Sequence, residues 1–348
     1  MAASSSCLQD ELYKIPFDMF QRYKIAAELL NAVRSKAQLT VLDVGGWPGL
    51  MQKLLPSDRL VVLDLQETRG VEALIGEATA IPFTSGSFDL VLAIDIMEHL
   101  PAGHRQRFLE ELLRVTGGYL ILAGPFSEPD VDYAERTLND FAARVLGVRN
   151  RFLEEHIANG LPDIEEVRRY FREVQLVPVE VPNGYLYHWI VMMMANHFIE
   201  SFIRNRAFHE WVNESYNRGS YVSDNREPCY RRVFVVSKNS KLNGELIMNR
   251  IGLKQPPYPS RLDSTVKPEV VELLFKVIEQ AIAHQAEIIK SRDEGIAYQA
   301  QTIDDLRKII KSRDEEIADL RESLPVRLWL ASIGFLKKRV LRTEISDH

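Results

Sequence analysis

A glycine-rich loop after an apolar run holds the residues that point most clearly to chemistry. Residues 41–49 read VLDVGGWPG, so the run reaches Asp43 and continues into Gly45, Gly46 and Gly49. Glycines let a backbone approach a ligand closely because they have no Cβ atom. The spacing fails the G-x-G-x-x-G pattern of dinucleotide-binding loops, and no G-K-S/T follows, as in a P-loop. Both of these phosphate-binding loops are therefore excluded.

A second acidic residue ends the next apolar run. Asp64 closes the run 59–65 and lies 19 residues after Gly45. A carboxylate at the end of the second strand accepts hydrogen bonds from ribose hydroxyls in dinucleotide-binding folds. Asp64 therefore predicts a cofactor with a ribose, although it does not by itself say which one.

The following stretch, GEATAIPFTSGSFDLVLAIDIMEHLP at 76–101, narrows the choice. Together with D-x-G-x-x-x-G at 43–49, it resembles class I S-adenosylmethionine-dependent methyltransferases. A large branch of that family carries GDA-x-x-LPF-x-x-x-x-FD-x-V and EHL at these places. The resemblance covers residues 10–125 and a strand near 232–237. Trp47 stands where the family has its middle glycine, so its side chain would have to point away from the cofactor.

The resemblance implies S-adenosylmethionine as cofactor and a binding site at the strand ends. The implied cofactor-binding residues are Asp43, Gly45, Gly46, Gly49, Asp64, Leu65, Glu77, Ala78 and Asp95. In the family, the residues at the positions of Glu77 and Ala78 contact the adenine, and the residue at the position of Asp95 faces the methionine part and the substrate. Each position also has a structural interpretation, as a strand-end, surface or helix-capping residue.

His99 and Asp95 are the candidate catalytic residues. The sulfonium methyl is already activated, so the protein mainly has to align a nucleophile and exclude water. A hydroxyl acceptor needs a base, and His99 or Asp95 would take its proton; the alternative for His99 is a packed histidine. Metal binding is not expected, because no cluster of ligands has the spacing of a closed zinc site.

Strands and helices alternate in the first part of the chain. Apolar runs at 40–44, 59–65, 88–94 and 119–123 are separated by helical segments, which indicates a parallel sheet covered on both faces. The predicted fold is α/β, a doubly wound, Rossmann-like, seven-stranded methyltransferase sheet with a helical insertion. Ligands of such sheets bind at the carboxyl ends of the strands.

The predicted methyltransferase domain spans 1–240 and includes a substrate-side insertion at 126–220. That insertion is rich in aromatic residues and histidine, with helical stretches at 152–171 and 183–198. Its candidate substrate-binding residues are His156, Tyr185, His188 and Trp189. Such side chains suit sugar or aromatic rings, and the alternative is that they belong to the core.

The C-terminal part follows a different pattern. A proline-rich linker at 241–268 precedes a predicted coiled coil at 269–324. Seven apolar residues recur there every seventh position, namely Ile282, Ile289, Ile296, Ile303, Ile310, Ile317 and Leu324. This pattern favours homo-oligomers over a single solvated helix. The basic amphipathic tail at 325–348 suits an anionic membrane surface through 325–342, or else a partner protein.

Composition limits the function further. The chain has 348 residues and a net charge of −6, which argues against nucleic-acid binding. With two cysteines, and neither a secretory signal nor a spanning segment visible, we expect a cytoplasmic protein, peripheral on the inner face of the membrane if the tail binds there.

Three hypotheses for function stay open. The layout resembles methyltransferases of bacterial surface-polysaccharide (O-antigen) biosynthesis, which implies O-methylation of a glycan or lipid-linked sugar and a glycosyltransferase partner. The second hypothesis is methylation of a small phenol or quinone. The third is an inactive coiled-coil scaffold in which Trp47 blocks the cofactor.

Overall fold

The computed structural model describes residues 10–253 and 268–322. The chain divides into two compact units, Met1–Asp263 and Ser264–His348. The first is an α/β domain, and the described part of the second is one long helix, Pro268–Glu322. Within the described residues, no helix combines the length and the apolar character needed to cross a bilayer. The predicted tail at 325–348 lies outside the described residues.

A seven-stranded sheet forms the centre of the first unit. In chain order its strands are β1 Thr40–Val44, β2 Arg59–Asp64, β3 Glu72–Ile75, β4 Phe88–Ile94, β5 Thr116–Gly124, β6 Val179–Tyr185 and β7 Cys229–Ser237. Their spatial order is β3-β2-β1-β4-β5-β7-β6. The pairs from β3 to β5 are parallel, while β7 runs antiparallel to both of its neighbours. The predicted doubly wound methyltransferase sheet is confirmed.

The described helices lie in both units, and only the last of them belongs to the second unit. In chain order they are α1 Phe17–Val33, α2 Met51–Leu54, α3 Ala102–Val115, α4 Pro129–Phe141, α5 Arg151–Asn159, α6 Ile164–Glu173, α7 Leu186–Phe198, α8 Arg206–Gly219, α9 Gly244–Arg250 and α10 Pro268–Glu322. A π-helical turn extends α4 through Ala142–Leu146, and another extends α7 through Ile199–Ile203.

Two strands escaped the sequence prediction, each for a physical reason. The edge strand β3 spans only Glu72–Ile75, and its apolar run of three residues is too short to indicate a strand. β6 contains Pro182 and Gly184, two residue types that are rare in strands, and it lies at the opposite edge of the sheet. The stretch 183–198 is therefore not helical throughout, since its helix begins only at Leu186.

Apolar side chains are buried on both faces of the sheet. One cluster joins α1 and α9 to the strands and includes Phe20 and Leu29. The other joins α3 and α6 and includes Phe108 and Phe171. Because both faces of the sheet are covered, a ligand can bind only at the carboxyl edge. At this edge β1, β2, β4, β5 and β6 end and β7 begins.

Candidate active site

The glycine loop after β1 has no room for a side chain at Gly45 or Gly46. Gly45 has a φ of +71°, and its N–H donates to the Leu63 carbonyl at 2.7 Å. A Cβ atom on Gly45 would lie 1.7 Å from Cδ1 of Ile96, and one on Gly46 would lie 2.3 Å from the Asp43 carboxyl. Conformation and space together therefore require glycine at 45, and space requires it at 46.

Asp43 lies against this loop as a buried acceptor. Neither of its carboxylate oxygens has a hydrogen-bond partner among the described residues. Burial raises the pKa of Asp43 to about 7; Arg22 opposes this rise and Asp64 adds to it. Burying a carboxylate without a partner costs free energy, so a positively charged ligand that pairs with Asp43 would be stabilised here.

Asp64 ties the loop to the end of β2. Its Oδ2 accepts the Trp47 N–H at 3.2 Å, and its Oδ1 accepts the Gln66 N–H at 2.9 Å. The Trp47 side chain is 47% exposed, so it is not packed beneath the loop. Leu65, which follows Asp64, is also exposed.

Register brings Glu77 and Ala78 to the same edge. Asp64 pairs with Ile75 across β2 and β3, and the Gly76 N–H donates to the Asp64 carbonyl at 3.0 Å. Glu77 is exposed and Ala78 half-buried just beyond that pair. The predicted cofactor residues of the first three strands therefore share one edge of the sheet.

Asp95 is held by two arginines, and this argues against its predicted catalytic role. Nη1 of Arg22 lies 2.6 Å and Nη2 of Arg231 lies 2.8 Å from Oδ2 of Asp95. Burial opposes ionisation, but Arg231 and Arg22 together hold the pKa of the carboxyl well below its usual range. Asp95 is therefore a poor proton acceptor, and its ion pairs fix the backbone where β4 ends.

Sequence reasoning missed both arginines. Arg22 lies on α1 and Arg231 on β7, at separations of 73 and 136 residues from Asp95. No local pattern marks either residue, and only the closure of the sheet brings them together.

His99 and His156 meet beside this site, although 57 residues separate them. Their Nε2 atoms are 3.4 Å apart, Nδ1 of His99 lies 3.1 Å from Glu155, and Nδ1 of His156 lies 2.9 Å from Glu135. Burial, followed by the charge of His156, lowers the pKa of His99. Nδ1 of His99 faces Glu155 and Nε2 faces the His156 ring, so neither ring nitrogen is turned to a substrate hydroxyl, which argues against its predicted role as a free base.

His188 forms a second paired imidazole at the end of β6. Its Nδ1 lies 2.6 Å from Oδ1 of Asp224, which is fully buried, while the His188 side chain is 44% exposed. The ring of Tyr185 packs edge-on against His188 at 5.1 Å, and the Arg226 guanidinium lies 3.9 Å from the Tyr185 ring centre. Stacking surfaces and hydrogen-bonding groups therefore occur together here.

Trp189 corrects another prediction. Its side chain is 1% exposed and stacks on Tyr230 with ring centres 3.5 Å apart. The stacking on Tyr230, together with this burial, places Trp189 in the core. His156 is buried as well, where the carboxylate of Glu135 holds it.

A chain of hydrogen bonds links Asp95 to His188. Nη1 of Arg231 donates to Gln21 at 3.3 Å, and Nε2 of Gln21 donates to the Tyr216 hydroxyl at 2.6 Å. That hydroxyl donates to Asp224, the partner of His188. The two parts of the edge are therefore held in one rigid polar network.

The strand order with an antiparallel β7, the glycine loop and the acidic end of β2 define a class I S-adenosylmethionine-dependent methyltransferase fold. The family described as "Methyltransferase domain" matches residues 42–122, which span β1 to β5. Residues 42–122 therefore carry a methyltransferase domain, and S-adenosylmethionine is the cofactor of such domains.

Relatives agree with this assignment over part of the chain. An uncharacterized methyltransferase of Mycolicibacterium gilvum is 32% identical over 112 residues, which cover 26% of this chain and 43% of that protein. The chain thus matches less than half the length of this curated relative.

Two solved structures are similar at a lower level. The 1,6-didemethyltoxoflavin-N1-methyltransferase of Burkholderia thailandensis is 11% identical with a TM-score of 0.37, covering 68% of this chain and 90% of that one. Magnesium protoporphyrin IX methyltransferase of Synechocystis is 11% identical with a TM-score of 0.38, covering 62% and 82%.

Proposed function

We propose that the protein transfers the methyl group of S-adenosylmethionine to a hydroxyl oxygen. The observation that carries this proposal is the carboxyl edge, where Asp43, Gly45 and Asp64 converge after β1 and β2. When bound, the cofactor supplies an activated methyl on a positively charged sulfur. The chain's own task is then to hold that group and to position the acceptor.

Each part of the edge suits one part of the cofactor. Asp64 lies at the end of β2, where a carboxylate accepts hydrogen bonds from ribose hydroxyls. Leu65, Glu77 and Ala78 are the proposed adenine contacts. Asp43 offers negative charge to the cationic methionine end, since its oxygens have no partner among the described residues.

We assign the acceptor contact to His188. The Nδ1 proton of His188 is held by Asp224, and its Nε2 has no partner among the described residues. That nitrogen is free to accept a hydroxyl proton. The Tyr185 ring packs against His188 and Arg226 lies over the Tyr185 ring, and this combination of a ring and polar groups supports a sugar hydroxyl as acceptor. A small phenol or quinone is the second candidate, because the same rings would stack on it.

A second part of the proposal concerns assembly. Ile289, Ile296, Ile303 and Ile310 on α10 are all more than half exposed. An exposed apolar stripe with a seven-residue period is typical of a coiled coil, so we propose that α10 pairs with its own copies. The ion pairs described along α10 lie within the helix itself, as between Arg313 and Glu316 at 2.8 Å. We further propose that residues 325–342 contact a membrane surface and that the protein contacts a glycosyltransferase.

Calorimetry with S-adenosylmethionine tests the core of the proposal. We expect stoichiometric binding that Asp64→Ala weakens strongly and that Asp140→Ala, a change of an exposed carboxylate on α4, leaves unchanged. Absence of binding by the full chain would reject the enzyme and favour the scaffold hypothesis.

The acceptor is tested with methyl-labelled cofactor. We expect label to appear on lipid-linked oligosaccharides and to be lost in His188→Ala. Label that appears only on small phenols would reject the glycan and support the second candidate.

A further inference from the structure

Glu98 is a buried carboxyl beside the two paired histidines. It lies in the turn Met97–His99 after β4 and is 1% exposed. Neither of its oxygens has a hydrogen-bond partner among the described residues. A Cβ atom on Gly124 would lie 3.1 Å from Oε2 of Glu98, so β5 closes one side of this carboxyl. Such a group is costly to bury unless something else satisfies it.

The hydrogen bonds of the two histidines fix where their protons lie. A carboxylate only accepts, so Nδ1 of His99 carries the proton toward Glu155, and Nδ1 of His156 carries the proton toward Glu135. Glu135 also accepts the Tyr230 hydroxyl at 2.7 Å, which keeps it an acceptor. In the neutral rings, both Nε2 atoms therefore present lone pairs.

These lone pairs face each other. The two Nε2 atoms are 3.4 Å apart, and one ligand atom from each of Glu98, His99 and His156 lies within 4.8 Å of the others. Two imidazole lone pairs and a carboxyl oxygen around one point are arranged as the ligands of a single cation would be. Two nitrogens that each lie about 2.0–2.1 Å from a tetrahedral zinc ion are about 3.3–3.4 Å apart. The observed separation of the nitrogens fits that geometry.

We propose that Glu98, His99 and His156 bind a divalent transition-metal ion, with zinc as the ion that best fits two imidazoles and one carboxylate. Glu155 and Glu135 orient the imidazoles through Nδ1, as carboxylates do for histidine ligands in metal sites. Three protein ligands leave one tetrahedral position for a further oxygen. The side chain of His99 is 25% exposed and that of Glu155 is 34% exposed, so the site opens to solvent on this side.

A role for the ion in catalysis rests on the proposed methyl transfer. In this route, which would replace proton transfer to His188, an acceptor hydroxyl on the open position would become more acidic and release its proton to solvent. The oxygen then forms a bond to the methyl carbon while the carbon–sulfur bond breaks, and its electron pair stays on sulfur. The products are a methyl ether, S-adenosylhomocysteine and one proton.

Zinc titration of the full chain tests the binding. After dialysis against a chelator, the protein is titrated with Zn²⁺ in competition with a chromophoric chelator, and with Co²⁺ followed by its visible absorption. We expect one ion per chain. His99→Ala and His156→Ala should each weaken the affinity about 100-fold or more, and Glu155→Gln about 10–100-fold.

His104→Ala is the matched control, because His104 is an exposed histidine on α3 outside the cluster. It should bind the ion as the unaltered chain does. His156 is buried, so its variant could fail to fold; His99→Ala changes a more exposed ring and keeps the test decisive. Absence of stoichiometric binding, or binding that survives His99→Ala, would overturn the inference and leave a proton shared between the two rings.

Calorimetry with S-adenosylmethionine separates this inference from the proposed function. Zinc binding without cofactor binding would keep the metal site and reject methyl transfer. Cofactor binding without zinc binding would keep the proposed methyl transfer and reject the metal site.

Discussion

The cofactor edge and the acceptor side of the candidate site are built in different ways. At the cofactor edge, two consecutive strands end at or beside Asp43, Gly45 and Asp64. Backbone N–H groups donate hydrogen bonds to the Asp64 carboxylate. On the acceptor side, His156 and His188 come from separate helices, and buried carboxylates orient them. The first region depends on the backbone path, while the second depends on pairs of charged side chains. Substitutions at the cofactor edge should therefore act by straining the backbone, and those on the acceptor side by leaving buried charges without a partner.

The largest effect is expected where a buried charge loses its partner. Arg231→Met leaves Asp95 with Arg22 alone, and breaking a buried ion pair costs about 3–5 kcal/mol of unfolding free energy. Urea unfolding measures this cost. Arg232→Met, one residue further along β7 at more exposed ion pairs, should cost about 1 kcal/mol or less.

A triple variant sharpens this test. Arg22→Met, Asp95→Leu and Arg231→Met together remove all three charges, so part of the lost stability should return. If Arg231→Met and Arg232→Met cost the same, the end of β4 does not depend on its buried ion pairs.

Next in size is the loop of the cofactor edge. Gly45→Ala forces a side chain into the left-handed region, about 1–2 kcal/mol, and against Ile96, about 1–3 kcal/mol more. We expect lower stability and loss of cofactor binding by calorimetry. Gly70→Ala is the control, because its φ is +83° but nothing lies within 4 Å of the added atom. Equal losses for the two variants would show that crowding at Ile96 is unimportant.

Asp43 should make stability depend on pH. Its folded pKa of about 7 exceeds its usual value, so its contribution is fully present below about pH 4 and is lost as the pH rises to about 7. Arg22 and Tyr23 from α1 and Asp64 from β2 are the charged or titratable groups around it. Asp43→Asn removes this loss and should be more stable than the unaltered chain at pH 8, by at most about 4 kcal/mol.

Cofactor binding should respond in the opposite direction. A cationic ligand favours ionised Asp43, so affinity should rise between pH 5.5 and 7.5, and Asp43→Asn should bind weakly with little pH dependence. Calorimetry at several pH values checks this. Parallel pH curves for both proteins would remove Asp43 from the binding site.

The smallest effect is expected at Trp47. Its backbone N–H, not its exposed ring, contacts Asp64, so Trp47→Ala should change stability by about 0.5 kcal/mol or less. Cofactor affinity should change little as well. A large gain in affinity would show that the ring obstructs the site.

Much of the fold followed from local patterns. The sequence predicted β1 and β4 with their observed bounds, because buried parallel strands are continuous apolar runs. It missed β3, whose apolar run is only three residues long, and β6, which contains a proline and a glycine. Trp189 was placed at the substrate because composition does not distinguish a surface ring from one stacked on Tyr230.

The sequence by itself determined the alternating fold, the glycine loop and the family of residues 42–122. These features are local, since a strand, its terminal acid and the following loop are neighbours in the chain. Only the tertiary structure decided which charged groups meet. Asp95 and Arg231 are 136 residues apart, His99 and His156 are 57 apart, and His188 and Asp224 are 36 apart. Such pairs form because packing buries both partners together, and no spacing along the chain records that event.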